Sequence, residues 1–254
     1  MALFDPNDIP EILERRGLLY GYLAVSAVVG VAVAYLVGWR WLFPVLSGAL
    51  IYPVFFMCIV AGESRLALGT MLLWCVLMSV LVIGATLLFP QRSQQVILSG
   101  GKYVQQEMTP WIAGEVAKEG DIRLFLPDHL LHFAVFVILS LVSGGLFSLV
   151  MGAYLLNYMN YYVGWLIGHA AHPWWAVVIG WSPWSVLRVV GYILVAIGLS
   201  DIPVSRLFHR PVDRRVIKCY AVTGCSLAVL DIICKSLLAP VWASLLREVL
   251  GGRV

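Results

Sequence analysis

Residues 153–199 read AYLLNYMNYYVGWLIGHAAHPWWAVVIGWSPWSVLRVVGYILVAIGL, and Arg188 is the one Asp, Glu, Lys or Arg among them. A membrane-crossing helix takes about 20 mostly apolar residues, so this stretch is long enough for two. The His169-Ala-Ala-His172-Pro173 break divides it into expected helices at 153–170 and 174–199. Pro173, Pro183 and the tryptophans also allow a re-entrant segment here, which would leave six full spans instead of seven.

The same pattern continues on both sides. Expected spans run from Leu18 to Val37, Trp41 to Ala61 and Leu66 to Phe89. A fourth starts near His129 and reaches about Val150, and the last lies between Lys218 and Arg247. The whole chain of 254 residues is 61% apolar and 12% charged, against about 25% charged in an ordinary soluble domain. The expected fold is an all-α polytopic membrane bundle, most simply of seven transmembrane helices. Residues 1–17 form a short cytoplasmic amphipathic segment, with a helix starting at Asn7 or Asp8. Residues 18–250 form one transmembrane domain, which leaves no room for a soluble catalytic domain. The net charge of +3 is too small and too scattered for a nucleic-acid partner, since tracking phosphates takes a strongly basic protein face.

Basic residues in short loops set orientation. Arg15 and Arg16 precede the first span, Arg65 sits between the second and third, and Arg206, Arg210, Arg214, Arg215 and Lys218 fall in the 201–218 loop. Seven spans put all three on the cytoplasmic side, with the C-terminus outside; six would misplace one of them. The expected location is the cell membrane. The long 90–128 segment is then extracytoplasmic. Tyr103 to Lys118 reads as one interfacial helix, with Tyr103 and Trp111 at headgroup depth, or more simply as a surface lid that covers helix ends. Gly100-Gly101 and Gly120-Asp121 are turn signals on either side.

Membrane helices associate through small residues. Ser26, Gly30, Ala34 and Gly38 recur at four-residue spacing in the first span, as do Gly144, Ser148 and Gly152 in the fourth, and Gly164 and Gly168 in the fifth. Such faces serve intramolecular packing, a homo-oligomer or a membrane-protein partner. The cysteines, Cys58, Cys75, Cys219, Cys225 and Cys234, lie in or beside spans without a CxxC, and read as buried small side chains.

Charges within a bilayer are functional candidates. Asp231 and Lys235 are four apart on one helix face and can pair, serving packing alone or a proton- or ion-coupled site. Arg188 is a third member or an anion contact. In the fifth span Asn157, Asn160 and Tyr161 line a polar path or make interhelical hydrogen bonds. His129 and His132, and His169 and His172, form two pairs at i, i+3 spacing, a residue type that suits metal or haem; as interfacial histidines they need no ligand.

Two short resemblances accompany these residues. Leu230-Asp231-Ile232-Ile233-Cys234-Lys235 resembles the last helix of microbial rhodopsins, which implies a retinal lysine at Lys235 and a counterion at Asp231. The Asp-Trp signature and the Trp-x-x-Tyr-Pro pattern of that family are missing here, so retinal is not expected. Leu131-His132-Phe133 followed by Gly144-Gly145 resembles the histidine helices of membrane cytochrome b subunits, which need further ligands on partner helices. No P-loop, GxSxG or HExxH motif occurs. The leading expectation is a small-solute or ion transporter of permease type with an intramembrane Asp-Lys pair, and no motif here assigns an enzymatic activity. The alternatives are a non-catalytic accessory or assembly subunit, and a metal- or haem-binding membrane protein using the outer histidines.

Overall fold

The computed structural model describes residues 13 and 15–252. The expected N-terminal helix from Asn7 or Asp8 lies outside the described residues. Seven helices of 19 residues or more run back and forth between two ends: α1 (Arg16–Val37), α2 (Leu42–Val60), α3 (Ser64–Leu88), α7 (Ile122–Ser143), α8 (Leu146–His169), α10 (Pro183–Leu207) and α11 (Arg214–Val249). Between α3 and α7 lie α4 (Pro90–Val96), α5 (Gly100–Tyr103), a wide π-helical turn (Val104–Met108) and α6 (Thr109–Ala113); α9 (Pro173–Ile179) separates α8 from α10. There are no strands among the described residues. Six of the long helices are apolar and long enough to cross a membrane; α8 is not in that set. Its 24 residues carry no Asp, Glu, Lys or Arg, but its asparagines and tyrosines lower its hydropathy.

Several expected boundaries are corrected. The 201–218 loop shrinks to residues 208–213, between Leu207 and Arg214, and the 90–128 segment ends where α7 starts at Ile122 rather than near His129. The fourth span ends at Ser143, not near Val150, because Gly144 and Gly145 both take positive φ (59° and 97°) and turn the chain. Gly144, Ser148 and Gly152 therefore do not share one helix. The sixth long helix begins at Pro183 and not at 174. Proline has no N–H and crowds the carbonyl four residues back, so Pro183 starts a new helix and leaves Pro173–Ile179 as a separate short one.

Helix α8 is the central post, touching α2, α3, α7 and α10. Its small residues are the reason it fits. A Cβ on Gly164 would come within 2.7 Å of Thr86, and one on Gly48 of α2 within 2.8 Å of the Val150 backbone. The α10–α11 pair is tighter still: a Cβ on Gly224 would sit 2.6 Å from the Gly191 carbonyl oxygen, and one on Gly198 2.8 Å from the Ala221 nitrogen. Gly30 faces Leu50 and Ser47 of α2, so the first span's small face packs within the molecule.

The two ends differ. At one, Arg210 donates to the Val60 and Ile59 carbonyls (2.9 and 2.8 Å) and pairs with Asp201. It thereby ties the α10–α11 turn to the end of α2. Residues Arg16, Glu63 and Arg65 gather around one depression at this end. The other end is covered by residues 90–121. Arg92 donates to the Tyr35 and Leu36 carbonyls (2.8 and 3.1 Å) and caps α1. The expected single helix over Tyr103–Lys118 is shifted toward the N-terminus: the helical run is continuous from Gly100 to Ala113, widens to a π-helical turn at Val104–Met108, and ends at Gly114 (φ 92°). Tyr103 and Trp111 are 8% and 4% exposed, turned into the bundle and not toward headgroups. Trp111 meets Trp184 edge-on, and Trp184 meets Trp242. The cap is a packed plug.

Candidate functional site

Helix α11 carries Asp231 and Lys235 one turn apart, both buried. They do not pair with each other as their spacing suggests. Each is taken by a group from elsewhere in the chain. Arg188 of α10 holds Asp231 in a two-pronged contact, Nε to Oδ2 at 2.8 Å and Nη2 to Oδ1 at 3.0 Å. Lys235 Nζ lies 2.8 Å from Oε2 of Glu119, in the segment just before α7. Bidentate guanidinium–carboxylate geometry is the strongest form of such a pair, and Arg188 reaches Asp231 from the neighbouring helix. Lys235 is held instead by the carboxylate the cap inserts, and its ammonium also stands 4.4 Å from the centre of the Phe125 ring, a cation–π distance.

His129 of α7 completes the upper tier. Its Nδ1 lies 3.0 Å from the Phe125 carbonyl oxygen. A carbonyl can only accept, so Nδ1 carries the proton and Nε2 is an acceptor. Nε2 then accepts a hydrogen bond from Arg188 Nη2, 2.5 Å away. Arg188 thus spends Nε and Nη2 on Asp231 and His129. Among the described residues its Nη1 group donates to no protein atom.

Arg188, Lys235, Glu119 and His129 line a polar chamber of about 140 Å³ at the capped end, while Asp231 is not in its wall. Its inner wall is Arg188, Lys235, Glu119 and His129; Tyr154 and Tyr158 of α8 form one side. At the mouth stand His132, Glu107, Lys102 and the exposed Lys118–Asp128 ion pair (2.6 Å). Burial works to raise the Glu119 carboxyl, but Lys235 and Arg188 outweigh it, and the group sits below its ordinary value. Glu107 moves the other way: burial and the nearby Glu119 charge push it up. Asp128 holds the Lys118 ammonium above its ordinary value, chiefly through their hydrogen bond.

The other expected site residues fall elsewhere. Asn157, Asn160 and Tyr161 are buried in α8 and do not face the chamber; both amides lack hydrogen-bond partners among the described residues. Tyr154 and Tyr158, one turn away, take the lining role. His169 is exposed, stacked on Trp165 with Nδ1 2.8 Å from the Trp165 carbonyl oxygen, and His172 is exposed. Only His129 and His132 reach the chamber. No group of three His, Cys, Asp or Glu side chains converges to hold a metal ion among the described residues. All five cysteines are free. Glu119 and Glu107 escaped the sequence reading because they lie in a polar loop with no spacing relation to Lys235. A buried lysine needing a counterion was the one signal that could have sent the search there.

Comparison with protein-family models, curated proteins and solved structures finds no match for this chain.

Proposed function

We propose that this chain is a seven-span integral membrane protein of transporter or permease type, and that the polar chamber is its solute-binding site. The carrying observation is that Arg188, Lys235 and Glu119, three members of two buried ion pairs, line a cavity, with Asp231 behind Arg188. Charges buried for packing alone can sit between helices with no space beside them; these stand in the wall of a chamber whose mouth also carries charge. Helix α8 is read as the seventh span because its ends lie at opposite ends of the bundle and it bears no charge. The basic segments near Arg16, Arg65 and Arg210 share one end, which the rule for loop cations assigns to the cytoplasm. The chamber then opens outside, and the C-terminus lies outside with it.

The test is flux through proteoliposomes for charged solutes under ionic and pH gradients. Gradient-driven uptake that is lost in Asp231→Asn supports the reading. No flux of any solute under any gradient overturns it. One observation favours a second reading: the same ion pairs fasten the cap to α11. A non-catalytic accessory subunit would use them as a brace. It would show no flux and would co-purify with a fixed membrane partner.

A further inference from the structure

Arg188 also borders a second space. This is an apolar chamber of about 70 Å³ between α2, α3, α7, α8 and α10. Arg188 and Tyr158 stand in the wall of both, and Arg188 is the one charged residue in the apolar wall. On its far side the apolar chamber shares Cys75, Leu156, Trp181 and Val189 with a third space, an apolar groove of about 590 Å³ along α3, α8 and α10. That groove is rimmed by exposed Val76, Val80 and Val186, so it opens sideways on the surface that would face lipid. Three spaces of changing polarity therefore adjoin in series, from a charged mouth at the capped end to a lateral apolar opening. The guanidinium at the first junction keeps its Nη1 donors unspent.

We infer that the site takes an anionic single-chain amphiphile: an acyl chain bearing a carboxylate or phosphate, with the head group in the polar chamber at Arg188 and the chain in the apolar chamber and side groove. A purely polar solute would leave the apolar chamber empty, and an uncharged hydrocarbon would leave the Arg188 donors unmet. An amphiphile matches both, since charge is stabilised where charge-assisted hydrogen bonds are available and a methylene chain where the wall is apolar. The lateral groove supplies an entrance that needs no passage of the chain through water. This inference rests on the reading of the polar chamber as a ligand site and specifies its ligand.

The experiment uses the full chain in phosphatidylcholine nanodiscs with stearate spin-labelled near the chain end. Electron paramagnetic resonance reads the immobilised fraction. A saturable immobilised component, displaced by oleate at concentrations at least tenfold below those needed for oleyl alcohol and not displaced by acetate, is the expected result. Gly152→Leu fills the apolar chamber from α8, where an added Cβ has ordinary clearance, 3.8 Å from Phe136; it is expected to weaken binding at least tenfold. Val189→Trp, at the junction with the groove, provides a second variant should the first fold poorly. An immobilised component unchanged in both variants is ordinary boundary lipid and overturns the inference. Equal displacement by oleyl alcohol overturns the head-group assignment. No immobilised component, with polar-solute flux intact, overturns the amphiphile and leaves the transporter reading standing; absence of both overturns the two together.

Discussion

Lys235 Nζ lies 2.8 Å from Glu119 Oε2, which joins the middle of the last helix to the segment that caps one end of the bundle. One turn away, Asp231 faces Arg188. The two charges that α11 places side by side are thus answered by two other elements. This crossed arrangement fastens cap, α10 and α11 at one point, and the polar chamber lies in that junction.

Breaking one half of the lower pair should cost more than removing the whole pair. Lys235→Met leaves the buried Glu119 without its ion-pair partner and with only the more distant Arg188 charge, a loss of up to about 3–5 kcal/mol for a buried pair. The double variant Lys235→Met/Glu119→Gln removes both charges and is expected to recover most of that loss. Thermal unfolding of the four proteins of the cycle in detergent measures it; an additive double variant would show the two groups to be uncoupled.

Acid should loosen the cap. The Glu119 carboxyl is held below its ordinary value, so its stabilising contribution is complete above the unfolded carboxylate value of about 4.3 and is lost as pH falls through the lower folded value. Glu107 is pushed up, so its contribution has the reverse sign: it favours the folded state below the unfolded value and fades as pH rises through the folded one. Glu107→Gln is therefore expected to stabilise the protein at neutral pH, and Glu119→Gln to flatten the acid limb. Melting temperature against pH for both variants tests this.

His129 should be a neutral-tautomer reporter of Arg188. Its Nδ1 donates to the Phe125 carbonyl and its Nε2 accepts from Arg188. Nitrogen-15 spectra of labelled histidine are expected to show a protonated Nδ1 and a bare, hydrogen-bonded Nε2 at neutral pH. In Arg188→Lys, where the fork geometry is gone, the Nε2 resonance should move. An Nε2–H tautomer in the unsubstituted protein would contradict the arrangement.

Gly145 carries the turn between α7 and α8 at φ 97°, and a Cβ there would meet Phe55 at 2.5 Å and Ser200 at 2.8 Å. Gly145→Ala adds backbone strain of about 1–3 kcal/mol to that clash. A clear fall in melting temperature is expected, larger than for Gly21→Ala, where an added Cβ meets nothing within 4 Å.

Much of the fold was legible in apolar run length. The first three long helices fall within two residues of the expected spans, because a stretch of uncharged apolar residues is recorded directly in the sequence. The errors came where backbone chemistry interrupts an apolar run: the Gly144-Gly145 turn and Pro183 both lie inside continuous apolar sequence. Of the site, Asp231, Lys235 and Arg188 were visible as charges in apolar surroundings, and His129 as one of a pair. Asn157 and Asn160 were visible too, yet the helix turns them away from the chamber.

The sequence by itself determined most of the long helices, the basic end, and that Asp231, Lys235 and Arg188 had to lie in apolar surroundings. Burial of a charge demands a partner but does not name it. Helical spacing offered Asp231 to Lys235, since it reports only neighbours on one helix. Tertiary structure decided otherwise: α10 brings Arg188 to Asp231 through the close Gly191–Gly224 approach, and the cap brings Glu119 to Lys235 from more than a hundred residues away. Those contacts arise from packing across distant segments, which no local pattern of residues encodes.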